Sequence, residues 1–150
     1  MLRHVPRALI GLILLSTALG KSLDVPGFIR VVGTYDVLPQ SLWRPAALAV
    51  MTAEGLLVLW LMVGRGLRFA ALATAFLHLG YVGWTSLALL RGIEVPIGGS
   101  FGVFFPRPLA WSTVIENGAM VVLALLFWLI VRRPPDPLES SCPVHSDEAT

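Results

Sequence analysis

The sequence predicts an all-α membrane protein, a four-transmembrane-helix bundle with a short amphipathic interfacial helix in its first outer loop, and three observations lead there. Hydrophobic residues make up 56% of the 150-residue chain and charged residues only 13%, whereas about a quarter of a water-soluble domain is charged. The apolar residues gather into four stretches, each close to the ~20 residues that a helix needs to cross a hydrocarbon core about 30 Å thick. The charges fall mainly between those stretches or in their first turns, and Lys21, Glu54, His78 and Glu116 are placed in them or at their ends.

The first stretch, residues 6–22, is the shortest, with an uncharged interior in which Ser16 and Thr17 can bond back to their own helix. Arg3, His4 and Arg7 before a short apolar run also suit a cleaved signal, but Ser16-Thr17-Ala18-Leu19-Gly20 is a loose cleavage pattern and a retained helix is expected. Residues 25–38 carry Phe28, Ile29, Val31, Val32, Tyr35, Val37 and Leu38 with Arg30 and Asp36, which suits an amphipathic helix lying at the membrane surface until Pro39 stops it. The second span is expected to begin at Pro45, whose missing N–H costs nothing in a first turn, and to end at Val63 before Gly64-Arg65-Gly66. The third covers residues 67–90 and the fourth residues 108–131. Residues 1–133 thus form one membrane domain. The tail, residues 134–150, is rich in Pro, Ser and acidic residues and is expected to be disordered.

An even number of spans puts both termini on one side. Arg3, Arg7, Arg65, Arg68, Arg132 and Arg133 crowd into very short segments there, while Lys21, Arg30, Arg44, Arg91 and Arg107 spread over two longer loops that also hold Asp24, Asp36 and Glu94. This density places the N and C termini in the cytoplasm. The second outer loop, residues 91–107, combines Gly98, Gly99, Ser100, Phe101, Gly102, Phe104 and Phe105. Glycines permit sharp turns and close approach, and the rings can rest at the interface, so this loop is the expected place of partner recognition.

Several chemistries are excluded. The one cysteine, Cys142, sits in the tail, which leaves the bundle no thiol for a disulfide, a metal or electron exchange. His4, His78 and His145 are far apart and show no helical ligand spacing. There is no phosphate loop, dinucleotide fingerprint or nucleophile elbow, so no cofactor and no catalytic residue is expected. The net charge of +2 comes from residues flanking the spans and argues against a nucleic-acid partner. Membrane lipid is the one partner that composition implies.

A charge at the centre of a helix in lipid costs on the order of 3 kcal/mol, so such groups turn inward and pair. Counting about 1.5 Å per residue from the cytoplasmic ends puts Lys21 about 21 Å, Glu54 about 16 Å, His78 about 19 Å and Glu116 about 24 Å deep. These residues and Asn117 are expected to form a buried polar cluster, with Lys21 paired to Glu54 or Glu116 and His78 adding a hydrogen bond. Such a pair also serves simply to fix helix packing, as do Thr52, Thr74 and Thr85. Trp43, Trp60, Trp84, Trp111 and Trp128 are expected in interface belts and packing. Tyr35 and Tyr81 receive no role from the sequence.

Gly20-Lys21 after the first span, Tyr35-Asp36-Val37-Leu38-Pro39 before the second, Glu54-Gly55-Leu56 within it and the Gly-Ser-Phe-Gly turn from Gly99 to Gly102 together resemble the methylamine utilisation MauE proteins and the wider DoxX-like group. The similarity covers residues 9–131. Typical MauE sequences read Cys-x-Cys-Phe-Gly in the last outer loop; here Gly98 and Ser100 stand at the thiol positions, followed by the matching Phe101-Gly102. The resemblance implies a bacterial inner-membrane protein associated with maturing a periplasmic, disulfide-rich dehydrogenase subunit. Serine forms no mixed disulfide, so thiol exchange through this loop is chemically excluded unless another protein lends a cysteine. Three functions follow as expectations: a non-redox maturation or assembly factor docking a periplasmic or membrane partner; a small structural subunit of a larger membrane complex; or a binder of a quinone or other small hydrophobic ligand at Lys21, Glu54 and His78.

Overall fold

The computed structural model describes residues 4–95 and 107–132. The expected recognition loop, residues 98–105, and the tail from residue 134 lie outside the described residues. Five helices and no strands occur among the described residues: α1 (His4–Ser22), α2 (Val25–Thr34), α3 (Gln40–Val63), α4 (Leu67–Leu90) and α5 (Trp111–Arg132). All but α2 are long and apolar enough to cross a membrane, and the chain is a multi-pass membrane protein.

Each long helix buries one stripe at helical spacing. On α1 it is Ile10, Leu14, Thr17 and Lys21; on α3 it is Ala47, Glu54, Leu57, Val58 and Leu61; on α5 it is Thr113, Asn117, Met120, Ala124 and Phe127. The stripe on α4 is small-sided, with Ala70, Ala71, Thr74 and Ala75. Small side chains let backbones approach closely in lipid, and α4 packs most extensively of all on α5. The second closest partnership is α1 with α3. Lighter contacts of α3 with α4 and α5 with α1 close the ring in chain order. Outward faces carry Leu12, Leu56, Met62, Phe76, Ile115 and Val122, apolar side chains suited to lipid.

Two apolar cores hold the ends of the bundle. One gathers Ile10, Leu14, Leu57, Leu61, Ala70, Met120 and Phe127. The other, where α2 lies, gathers Tyr35, Ala88, Val95 and Leu109 with Val31 and Trp84 against them. The buried polar residues sit between.

Three boundaries differ from the sequence expectation by three residues or more. The interfacial helix ends at Thr34, four residues early, because the chain turns through Asp36 at a left-handed φ of 49°. The helix α3 starts at Gln40 rather than Pro45, with Pro39 as its N-cap and Leu42 N–H bonded to Pro39 O at 2.8 Å. Pro45 therefore lies in the second turn, where it leaves the Ser41 carbonyl without its usual i+4 donor; Ser41 is exposed, so solvent or headgroups can satisfy it. The last span begins at Trp111 rather than Pro108, because the Leu109 N–H is drawn to Val95 O at 2.9 Å while the Leu109 side chain enters the second core.

Candidate functional site

Lys21 is on the last turn of α1 and Glu54 in the middle of α3, each on the buried stripe of its helix. They meet as an ion pair, Lys21 Nζ to Glu54 Oε1, with exposures of 6% and 1%. Of the two partners open to Lys21 from the sequence, the structure selects Glu54. From α4 the Tyr81 hydroxyl donates to the same oxygen at 2.6 Å. The Lys21 ammonium also lies 5.0 Å from the centre of the Tyr81 ring and 5.4 Å from that of Phe28 on α2, distances at which an aromatic face attracts a cation. Four helices thus converge on one charge pair. Its second carboxylate oxygen, Glu54 Oε2, is buried and has no hydrogen-bond partner among the described residues.

His78 is buried one turn from Tyr81, but it does not bond to the charge pair. Its Nδ1 lies 2.9 Å from Thr74 O; since a carbonyl only accepts, Nδ1 carries the proton. Its ring meets that of Tyr81 edge to face, 5.6 Å between centres and 72° between planes. His78 therefore props the ring that bonds Glu54. Glu116 stands apart from this group. It is 37% exposed and pairs with Arg107 just before α5, because its helical position lies one residue off the buried Thr113–Asn117–Met120 stripe. Asn117, on that stripe, is buried and donates through Nδ2 to Thr113 O at 2.8 Å. Tyr81 is the member that sequence reasoning missed; its spacing of three residues from His78 on one helix face was the available signal.

Beside the charge pair is a cavity of about 610 Å3 bounded by the end of α1, by α2, α3 and α4, and by the start of α5. The cavity exists because α3 and α4 pack lightly on each other, and α2 bridges their separation: Gly33 sits against the Trp43 ring of α3, and the Tyr35 ring meets Trp84 of α4 edge-on at 5.8 Å. Asp24 fixes the start of that bridge, its Oδ1 accepting from Gly27 N at 2.8 Å. The walls are mostly apolar, with Lys21, Asp24, Arg30, Tyr81, Thr113 and Asn117 among the polar residues on them. Among the described residues no three His, Cys, Asp or Glu side chains gather to hold a metal ion.

The methylamine utilisation protein MauE family model matches residues 1–130. Among curated proteins, the methylamine utilization protein MauE of Paracoccus denitrificans is 30% identical over 119 residues, which is 79% of this chain and 64% of that protein; the chain thus spans less than two thirds of its relative's length. No solved structure matches. With four apolar spans and a family model that covers nearly all of them, the chain belongs to the methylamine utilisation protein MauE family.

Proposed function

We propose that this protein is an accessory factor of the bacterial inner membrane that assists the maturation or assembly of a periplasmic or membrane partner without exchanging thiols. The observation that carries this reading is the single cysteine of the chain, Cys142. Passing a disulfide through a protein requires a thiolate to attack and a second sulfur to resolve the mixed disulfide, and no pair is available. Membership in a family named for methylamine utilisation supports a partner from that process, a periplasmic dehydrogenase subunit being the chemistry that the sequence resemblance implies. The termini lie on the cytoplasmic side. Arg7, Arg65 and Arg132 at one end of the bundle support this orientation, and so leave the loop containing Phe101, Phe104 and Phe105 on the periplasmic side for recognition.

The test is deletion of the gene in its native host, with periplasmic dehydrogenase subunits quantified during growth on methylamine. Deletion should deplete the mature partner, and both the wild-type gene and a Cys142→Ser copy should restore it. An unaffected partner removes the maturation role; failure of Cys142→Ser alone removes its non-redox character.

A further inference from the structure

We infer that the cavity beneath α2 is a binding site for a long acyl chain that presents its carbonyl or carboxylate oxygens to Lys21 and its hydrocarbon to the apolar wall. This inference is independent of the maturation role. At about 610 Å3 the cavity lies inside the 300–1,000 Å3 span of ligand pockets. It has the mixed character such pockets need, a mainly apolar lining with few convergent polar groups. Those groups set the polarity of the head. Lys21 has three N–H donors and gives one to Glu54, and Arg30 is a second cation on the lining. On the lining itself the cations Lys21 and Arg30 stand against one acid, Asp24, which spends Oδ1 on the α2 N-terminus, and Glu54 with its free Oε2 is not part of that lining; an acceptor head is the complement.

A second observation points the same way. Thr113 is 1% exposed, lines the cavity, and its Oγ1 has no hydrogen-bond partner among the described residues. An unpaired buried hydroxyl is costly, and an acyl oxygen beside it removes that cost. The entrance lies toward lipid: Phe76, on the cavity's rim, is 71% exposed on an outward face of α4. Gly80, one turn further along α4, also lines the cavity, and a Cβ built on it meets nothing within 4 Å. Side chains can therefore be added there without touching the packed stripe.

An acyl chain of this kind has two sources, a free fatty acid or a phospholipid. The full-length protein is reconstituted in phosphatidylcholine vesicles with a palmitate analogue carrying a mid-chain diazirine, or with phosphatidylcholine bearing the same chain, irradiated, and mapped by mass spectrometry. Labelling should concentrate on Val31, Tyr81 and Trp84, and fall at least tenfold in Gly80→Trp and in Ala46→Phe, a second cavity-filling variant on α3. Folding of each variant is checked by its melting temperature. Palmitate should compete at least tenfold better than hexadecanol. Cavity labelling by the palmitate analogue alone identifies a free acid, and by the phospholipid analogue a membrane lipid. Labelling spread over the outward leucines, labelling indifferent to both folded variants, or equal competition by hexadecanol overturns the assignment.

Discussion

Tyr81 of α4 donates a 2.6 Å hydrogen bond to the Glu54 oxygen of α3 that already holds Lys21 of α1. One carboxylate therefore ties three spans together. A hydrogen bond to a buried charged group contributes about 1.5–3 kcal/mol. Tyr81→Phe keeps the ring under Lys21 and against His78 but removes the donor, so it should lower stability by about that amount. Chemical denaturation of detergent-solubilised protein reads this, and a variant as stable as the wild type would show that the bond does not form.

Arg7 acts at the opposite end of the bundle. Its Nε and a terminal nitrogen donate to Leu61 O and Met62 O, both at 2.7 Å, which satisfies carbonyls that α3 leaves open at its C-terminus. Arg7→Ala should cost about 1–2 kcal/mol, and Arg7→Lys should recover only part of it, because an ammonium restores the charge but not the planar two-point geometry. Equal recovery by lysine would reduce the interaction to charge alone.

Gly33 is where α2 touches α3. A Cβ there would come within 2.6 Å of the Trp43 ring, and that ring is held in place by its own Nε1 bond to Leu38 O at 2.9 Å. Gly33→Ala should therefore push α2 off α3 at a cost of about 1–3 kcal/mol and expose the α2–α3 connection. Limited proteolysis should cut this variant faster between residues 30 and 40; unchanged cleavage would mean that the ring yields instead.

Tyr35, 7% exposed at the end of α2, has its phenol pushed up to about 12 by burial. The sign follows from proton linkage. Above the ordinary value near 10 the unfolded chain releases this proton and the folded one retains it, so the contribution to stability is complete below pH 10 and is lost between pH 10 and about 12. In a Tyr81→Phe background Tyr35 is the remaining tyrosine, and absorbance at 295 nm should give a midpoint near 12. A midpoint near 10 would place the ring in water.

Much of this was legible in the sequence because lipid enforces strong rules. A stretch of apolar residues long enough to cross must be helical, so four spans could be read from length alone, and counting residues brought Lys21 and Glu54 to similar depth. What counting cannot supply is rotation about a helix axis. Glu116 and Asn117 are neighbours in sequence and depth, yet only Asn117 falls on the buried stripe, and Glu116 turns to Arg107. Tyr81 escaped for a related reason. An amphipathic ring is at home at an interface or in a core, and only the position of α4 against α3 brings its hydroxyl to Glu54. Pro45 misled because proline is common at the start of a helix; Pro39 had already taken that place.

The Lys21–Glu54 pair locks α1 to α3 inside the bundle. The most direct measurement is a double-mutant cycle with Lys21→Met, Glu54→Leu and the double variant, read as stability in the same detergent. Each single change leaves one charge buried alone and should cost about 3–5 kcal/mol, while the double variant should recover most of that loss. If the two single losses are small and simply add, the residues do not pair in the folded protein.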